Sequence, residues 1–253
     1  MWIDHTTPDL LPQLKSLWHT AFGDSMDFID LFFSTGYAPE RSRCITENGK
    51  VLSVLYWLDC FYEGQKMAYI YAVATDPAHQ GKGLFRKLSE DTRALLTQQG
   101  YAAELLMPGD DGLRQMYAKM GYTTVCSARQ FTCARKEAPP VPIAPISGAQ
   151  YAALRPQYLP SGSVIQEGEN LDYLASYAEF YRGEDFLLTA SVWEGKLNGM
   201  ELLGNIAAAP GILSALGIDT GTFRTPGGNT PTAMSRPLKN DVKMPEYMAF
   251  LFD

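Results

Sequence analysis

The sequence predicts an α/β protein built on mixed sheets and divided into two halves. Three observations carry that expectation. Met67 to Thr75, with Tyr, Ile and Val between small residues, reads as a buried strand. It is stopped at Asp76-Pro77 and followed by Gln80-Gly81-Lys82-Gly83 and a run in which Phe85, Leu88, Leu95 and Leu96 recur at helical spacing up to Gly100. The second is the alternation of strand and helix patterns on both sides of this unit, which implies parallel central strands. The third is Glu137 to Pro145, EAPPVPIAP, whose four prolines in nine residues forbid helix and mark a tether.

In chain order, Asp9 to Phe22 is the first expected helix, with Leu11, Leu14, Leu17, Trp18 and Phe22 at spacings of three and four and Gly23 as its stop. Ser25 caps a second, whose apolar side is Phe28, Ile29, Phe32 and Phe33. Arg43 to Thr46 and Val51 to Phe61 are strands joined across Asn48-Gly49, a pair that readily takes positive φ, and Glu63-Gly64 turns the chain into the central strand. Tyr101 to Pro108 is the next strand and Gly112 to Met120 a short helix stopped by Gly121. Tyr122 to Val125 and Ser127 to Cys133 are expected to close this first half. Beyond the tether, Ala149 to Leu154 and Leu171 to Tyr181 read as helices. Phe186 to Trp193 and Leu197 to Leu203 form a hairpin across Glu194-Gly195, and Ala207 to Leu216 is a small helix. Arg224 to Leu238 reads as irregular, Thr225 to Asn229 as a surface turn, and Tyr247 to Phe252 as a terminal strand. The division is residues 1–135, a linker over 136–146, and 147–253.

Composition excludes several functions. A net charge of −7 argues against nucleic acid, whose backbone demands a basic face. It suits a cationic acceptor. Cys44, Cys60, Cys126 and Cys133 fall in no metal-ligand spacing, and three histidines are too few to supply a zinc site, so no metal and four reduced thiols are expected. No apolar run reaches the roughly 20 residues that cross a bilayer, and MWIDHTTPDL has neither a basic start nor an apolar h-region, so a cytoplasmic protein without a membrane partner is expected. Whether it forms a homo-oligomer stays open.

The glycines stand where a helix begins. First-turn amides have no partner within the helix and the macrodipole is positive there, so a phosphate can lie against bare backbone. No GK[ST] follows, and the third glycine and distal acid of a dinucleotide site are missing. Asp76 to Gly83 resembles the pyrophosphate loop of the GCN5-related N-acetyltransferases: Gln or Arg, two residues, Gly, one residue, then Gly or Ala, here with Phe85 last. Leu17-Trp18, Phe22 to Ser25 and the ending Tyr247 to Asp253 are similar to bacterial acetyltransferases of the enhanced-intracellular-survival type. Longer members carry a third, sterol-carrier-protein-like domain, and a full one is not expected within these 253 residues.

The resemblance implies the acyl-CoA N-acyltransferase fold, with a second, degenerate half of the same kind, since Gly204-Asn205 opens its helix without the loop. It implies acetyl-CoA as acyl donor and a small-molecule or peptide amine as acceptor, by direct attack; a non-catalytic acyl-CoA-binding module is the alternative. Main-chain groups of Val73 and Thr75 match the positions that bond pantetheine, and the amides of Gln80, Gly81, Lys82 and Gly83 match the pyrophosphate cradle, with the Lys82 ammonium adding a point charge. Tyr117, in a YxKxGY setting, resembles the tyrosine that protonates the leaving thiolate. Trp57, Asp59, Phe61 and Tyr62 match the strand that borders the acceptor pocket, or else pack in the core. Asp253, through its terminal carboxylate, matches the group that takes a proton from the attacking amine, or else ends an edge strand.

Overall fold

A computed structural model describes residues 1–135 and 139–252. Its elements in order are strand β1 (Trp2–Asp4), helices α1 (Leu11–Phe22) and α2 (Met26–Thr35), and strands β2 (Ser42–Glu47), β3 (Lys50–Tyr62) and β4 (Gln65–Thr75). Helix α3 (Leu84–Gln98), β5 (Ala103–Leu106), α4 (Asp111–Lys119), β6 (Thr123–Thr124) and β7 (Ser127–Ala134) follow. Then come β8 (Ile143–Ile146), α5 (Gly148–Leu154), α6 (Glu169–Ala175), β9 (Glu179–Gly183), β10 (Phe186–Trp193), β11 (Lys196–Gly204), α7 (Ala209–Leu216), β12 (Thr220–Pro231) and β13 (Met234–Pro237). No helix among the described residues is long and apolar enough to cross a membrane.

The chain forms two compact units, one of Met1–Met107 with Ser235–Lys243 and one of Pro108–Met234 with Met244–Asp253. The expected linear division at 136–146 differs from this partition. Pairing along strands is nonlocal, so a late segment, Ser235–Lys243, completes the first unit. Ser127 to Cys133 does not close the first sheet: β7 pairs antiparallel with β12 in the second. Of the linker, 136–138 lie outside the described residues, and Ile143–Ile146 pairs with β9 as an edge strand, the place where its Pro145 is tolerated.

In the first unit the sheet runs β1-β2-β3-β4-β5-β13. Trp18 and Phe32 of α1 and α2 meet Tyr56 and Tyr71 at ring separations of 5.3–6.0 Å, so these helices cover one face. Arg43, on the opposite side of β2 from Ser42, bonds Asp91 of α3, which places α3 on the other face. Ser25 caps α2 by accepting from the Phe28 amide at 3.2 Å. Ser25→Ala is expected to cost about 1 kcal/mol in chemical denaturation. Asn48-Gly49 and Glu63-Gly64 both have positive φ at each turn residue, which two-residue hairpins with native twist require.

The second unit holds the sheet β7-β12-β11-β10-β9-β8. Tyr151, Leu171, Leu174, Leu187, Leu203 and Phe250 pack one face, and Leu188, Leu197, Leu202, Ile212, Leu213 and Phe223 pack the other. Three expectations are corrected here. Helix α6 ends at Ala175 and Glu179 already pairs in β9. Arg224 to Leu238 is largely strand. Its glycine-rich stretch is a bulge, with Thr225 opposite Arg129 and Thr230 opposite Ala128, where Gly227 and Gly228 both take φ above +80°. Tyr247 to Leu251 is buried but is not a strand; beyond one bridge from Ser163 to Tyr247, the Gln166 side chain takes a strand's place, donating to the Phe250 carbonyl and accepting its amide.

Candidate active site

The first unit brings Val73, Thr75 and Gln80 to Gly83 together where β4 ends and α3 begins. Strand β4 pairs in parallel with β5 only over Met67–Tyr69, and β5 ends at Leu106. Beyond that β4 runs on to Thr75 without β5. On its other side β4 keeps its partner, but the register with β3 shifts between Val54 and Tyr56, leaving Ala72 and Val73 opposite Leu55, with Ala72 at φ +45°. The Asp76 amide donates to the Leu52 carbonyl at 2.9 Å. Strand alternation therefore turns the main-chain groups of Thr75 away from β3, on the side beyond the end of β5, while Val73 lies in the bulge itself. No sequence signal announced the bulge, because Ala72-Val73 is ordinary strand composition.

The loop is built by local bonds. The Asp76 side chain accepts from the Ala78 amide at 2.9 Å and pairs with Lys50 at 2.5 Å; the Lys50 contact, then that amide, holds its carboxyl down at about 2. Gln80 donates to the Thr75 carbonyl at 3.3 Å, and the Lys82 ammonium folds back onto the Ala78 carbonyl at 2.9 Å. Gly81 and Gly83 have φ of +71° and +76°, and a Cβ at either would meet nothing within 4 Å. Glycine is thus required by the backbone conformation, and the space beside it is open to an approaching anion. Gly83 caps α3, whose first internal bond runs from the Lys87 amide to the Gly83 carbonyl at 3.1 Å, and no acid stands in its first turn. Lys82, Arg86 and Lys87 are exposed around it. This arrangement fits a pyrophosphate.

Of the expected acceptor residues, Trp57 and Tyr62 are buried and Phe61 is exposed. Asp59 accepts from the Tyr101 hydroxyl at 2.5 Å and pairs with Lys66 at 2.8 Å, while Trp57 donates to Tyr101 at 3.1 Å. Its carboxylate is therefore already engaged.

In the second unit, Tyr117 lies on α4, which Asp110 caps by accepting from the Leu113 amide at 2.7 Å. It is 8% exposed and meets Tyr122 edge-on at 5.6 Å, and burial pushes its phenol up to about 12. Asp253 lies outside the described residues. The four cysteines form no disulfide with one another and three of them are buried, and the described residues contain no group of three or more His, Cys, Asp or Glu able to hold a metal.

If backbone amides carry the phosphates, Gly83→Val is expected to weaken coenzyme A by roughly 100-fold or more in calorimetry, the worth of two charge-assisted bonds. The strained φ adds about 1–2 kcal/mol of destabilisation, read separately by denaturation. Lys82→Ala is expected to cost under about 1 kcal/mol. Equal losses from the two would contradict the backbone account.

Residues 3–125 match the family model described as an acetyltransferase (GNAT) domain. No curated protein matches the chain in sequence. Among solved structures, a GCN5-related N-acetyltransferase from Kribbella flavida is similar at 15% identity and a TM-score of 0.71, over 93% of this chain and 70% of that one. Eis1 from Mycobacterium abscessus is similar at 12% identity and 0.66, over 94% and 74%. A putative acetyltransferase from Pyrococcus horikoshii is similar at 13% and 0.65, over 98% and 95%. At these identities the structures establish the fold. The glycine loop at a helix start and the family match coincide: residues 3–125 are similar to an acetyltransferase (GNAT) domain, and the chain has the fold of the GCN5-related N-acetyltransferases, in two halves.

Proposed function

We propose that the protein is an acetyl-CoA-dependent N-acetyltransferase acting on a primary amine of a small molecule or peptide. The observation that carries this reading is that β4 runs on past the end of β5, with a bulge against β3 at Ala72-Val73, ahead of a glycine loop that opens α3. Acetyl-CoA, when bound, supplies the activated acyl group. The chain's own residues do the rest. The amides of Gln80 to Gly83 and the start of α3 hold the pyrophosphate, and the main-chain groups of Val73 and Thr75 hold the pantetheine arm. Fixing the thioester beside the amine makes the attack effectively unimolecular, and a strand amide steadies the charge on the acyl oxygen. Tyr117, neutral because it is buried, donates the proton that the departing thiolate takes up.

Asp253 is proposed as the base that receives the amine's proton through the terminal carboxylate. An α-carboxyl ordinarily titrates at about 3.3–3.7, and desolvation raises it toward usefulness. Appending a short flexible extension after Asp253 is expected to leave coenzyme binding intact and abolish turnover. Undiminished turnover removes Asp253 from the reaction.

One observation favours a second reading, a non-catalytic acyl-CoA-binding module: Asp59, the acid expected to greet a cationic acceptor, is taken up by Tyr101 and Lys66. Thiol release from acetyl-CoA across polyamines, aminoglycosides, free lysine and peptides decides between them. Release with any class supports the enzyme; tight coenzyme binding with no release supports the module. Mass spectrometry of co-purified coenzyme reports whether the acyl group is acetyl or longer.

A further inference from the structure

The second unit repeats the coenzyme-binding motif of the first, element for element. Strands β10 and β11 form an antiparallel hairpin across Glu194-Gly195, at φ +48° and +74°, as β3 and β4 do across Glu63-Gly64, at +49° and +74°. The strand after each hairpin ends in a side-chain cap: Asp76 accepts from the Ala78 amide, and Asn205 accepts from the Ala207 amide at 3.0 Å. One turn of 3₁₀ helix follows each, then a helix, then a strand parallel to the second hairpin strand.

The irregularities repeat as well. The register of β10 with β11 shifts between Thr189 and Ala190, leaving Met200 as the extra residue, where β4 has Ala72-Val73. Strand β12 pairs with β11 only over Lys196–Gly199, and the strands then part. A bulge just past the end of a parallel pairing is costly in lost ladder bonds, so its presence twice marks two wedges of one kind.

The second wedge is filled by the chain itself. Met200, at the bulge, and Arg224, the first β12 residue beyond the pairing with β11, line with Phe250, Leu251 and Phe252 a crevice of only about 10 Å³. Arg224 donates to the Ala249 carbonyl at 3.5 Å, Gln166 bonds both main-chain groups of Phe250, and the Arg155 guanidinium lies 4.7 Å from the Phe250 ring centroid. At the helix end, no residue separates the 3₁₀ turn at Ala208 from α7, whereas four, Gln80 to Gly83, intervene before α3. Pro210 removes one amide there, and the linker covers the place: Val141 donates to the Gly211 carbonyl at 3.3 Å, and a Cβ on Gly211 would meet Val141 at 2.5 Å.

We infer that the second half is a closed acyl-CoA cleft, in which the segment Ala249–Phe252 occupies the wedge between β11 and β12 as an internal ligand and leaves the chain with one coenzyme site. This rests on the coenzyme reading of the first half, yet the two fail separately. Hydrogen exchange of the full-length wild-type protein, with and without saturating coenzyme A, tests it. Coenzyme A is expected to slow exchange over residues 73–88 and to leave the slow exchange of 247–251 unchanged, while calorimetry gives one equivalent per chain. Gln166→Ala is expected to speed exchange of 247–251 by about tenfold or more, the loss of two buried main-chain bonds, without altering that of 73–88. A second equivalent, or faster exchange of 247–251 on adding coenzyme A, overturns the inference, because the coenzyme would then be entering the second wedge. Unchanged exchange of 247–251 in Gln166→Ala overturns it too. If coenzyme A bound nowhere, the proposed function would fall while the slow exchange of 247–251 and its loss in Gln166→Ala would stand.

Discussion

Replacing Tyr117 with phenylalanine is expected to lower turnover by about 10²- to 10⁴-fold, the range a positioned general acid contributes, with coenzyme affinity changed by less than about twofold. The substitution removes one oxygen from a ring that is 8% exposed and leaves its edge-on contact with Tyr122 in place, so packing is preserved. Desolvation raises the phenol to about 12, so it keeps its proton through the working range. The pH profile of the wild type is accordingly expected to show no alkaline fall centred near 10. The linkage has a definite sign. A phenol whose folded value lies above its unfolded value of about 10 contributes stability that is complete below 10 and is lost as pH rises through about 12. Turnover of Tyr117→Phe within about threefold of wild type would remove the tyrosine from the proton-transfer step.

Replacing Glu201 with alanine is expected to destabilise the protein by about 3–5 kcal/mol, the cost of leaving one partner of a buried ion pair uncompensated. Glu201 sits at the centre of the second unit with 0% side-chain exposure, and Arg155 opposite it has 3%. Arg155 donates twice, at 2.8 and 3.0 Å; Tyr151 donates at 2.6 Å and Tyr247 at 3.2 Å. Each carboxylate oxygen thus receives two donors. Burial and then the Glu201 charge push both phenols well above their ordinary range, so both remain donors. Because Tyr247 starts the buried C-terminal segment and Arg155 faces Phe250, the loss also loosens that segment. Urea denaturation checks the magnitude; a loss under about 1 kcal/mol would show that the pair is dispensable.

The first half was largely legible because its signals are local. Asn48-Gly49 and Glu63-Gly64 specify hairpins through φ, Ser25 and Gly23 punctuate helices through caps, and Gly81-Lys82-Gly83 announces a helix start open to an anion. Each depends on a few adjacent residues, so a one-dimensional reading captures it. Arg224 to Leu238 was misread for the opposite reason. β12 is ordered by its neighbours β11 and β7, and Gly227 and Gly228 look like a turn until a partner strand makes them a bulge. The apolar ending Met248 to Phe252 announced burial, but not that a single glutamine side chain would replace the expected strand partner.

The sequence by itself determined the hairpins, the helix caps, the glycine loop that opens α3 and the likeness of residues 3–125 to an acetyltransferase (GNAT) domain. Only the tertiary structure decided that β4 outruns β5 and bulges against β3, that Asp59 is spent on Lys66 and Tyr101, and that the chain's end fills the second wedge. The reason is physical. Turns and caps are settled by the φ preferences and hydrogen bonds of neighbouring residues. Strand partners, bulges and buried ion pairs are settled between residues tens to well over a hundred positions apart, where only the folded backbone determines which donor meets which acceptor.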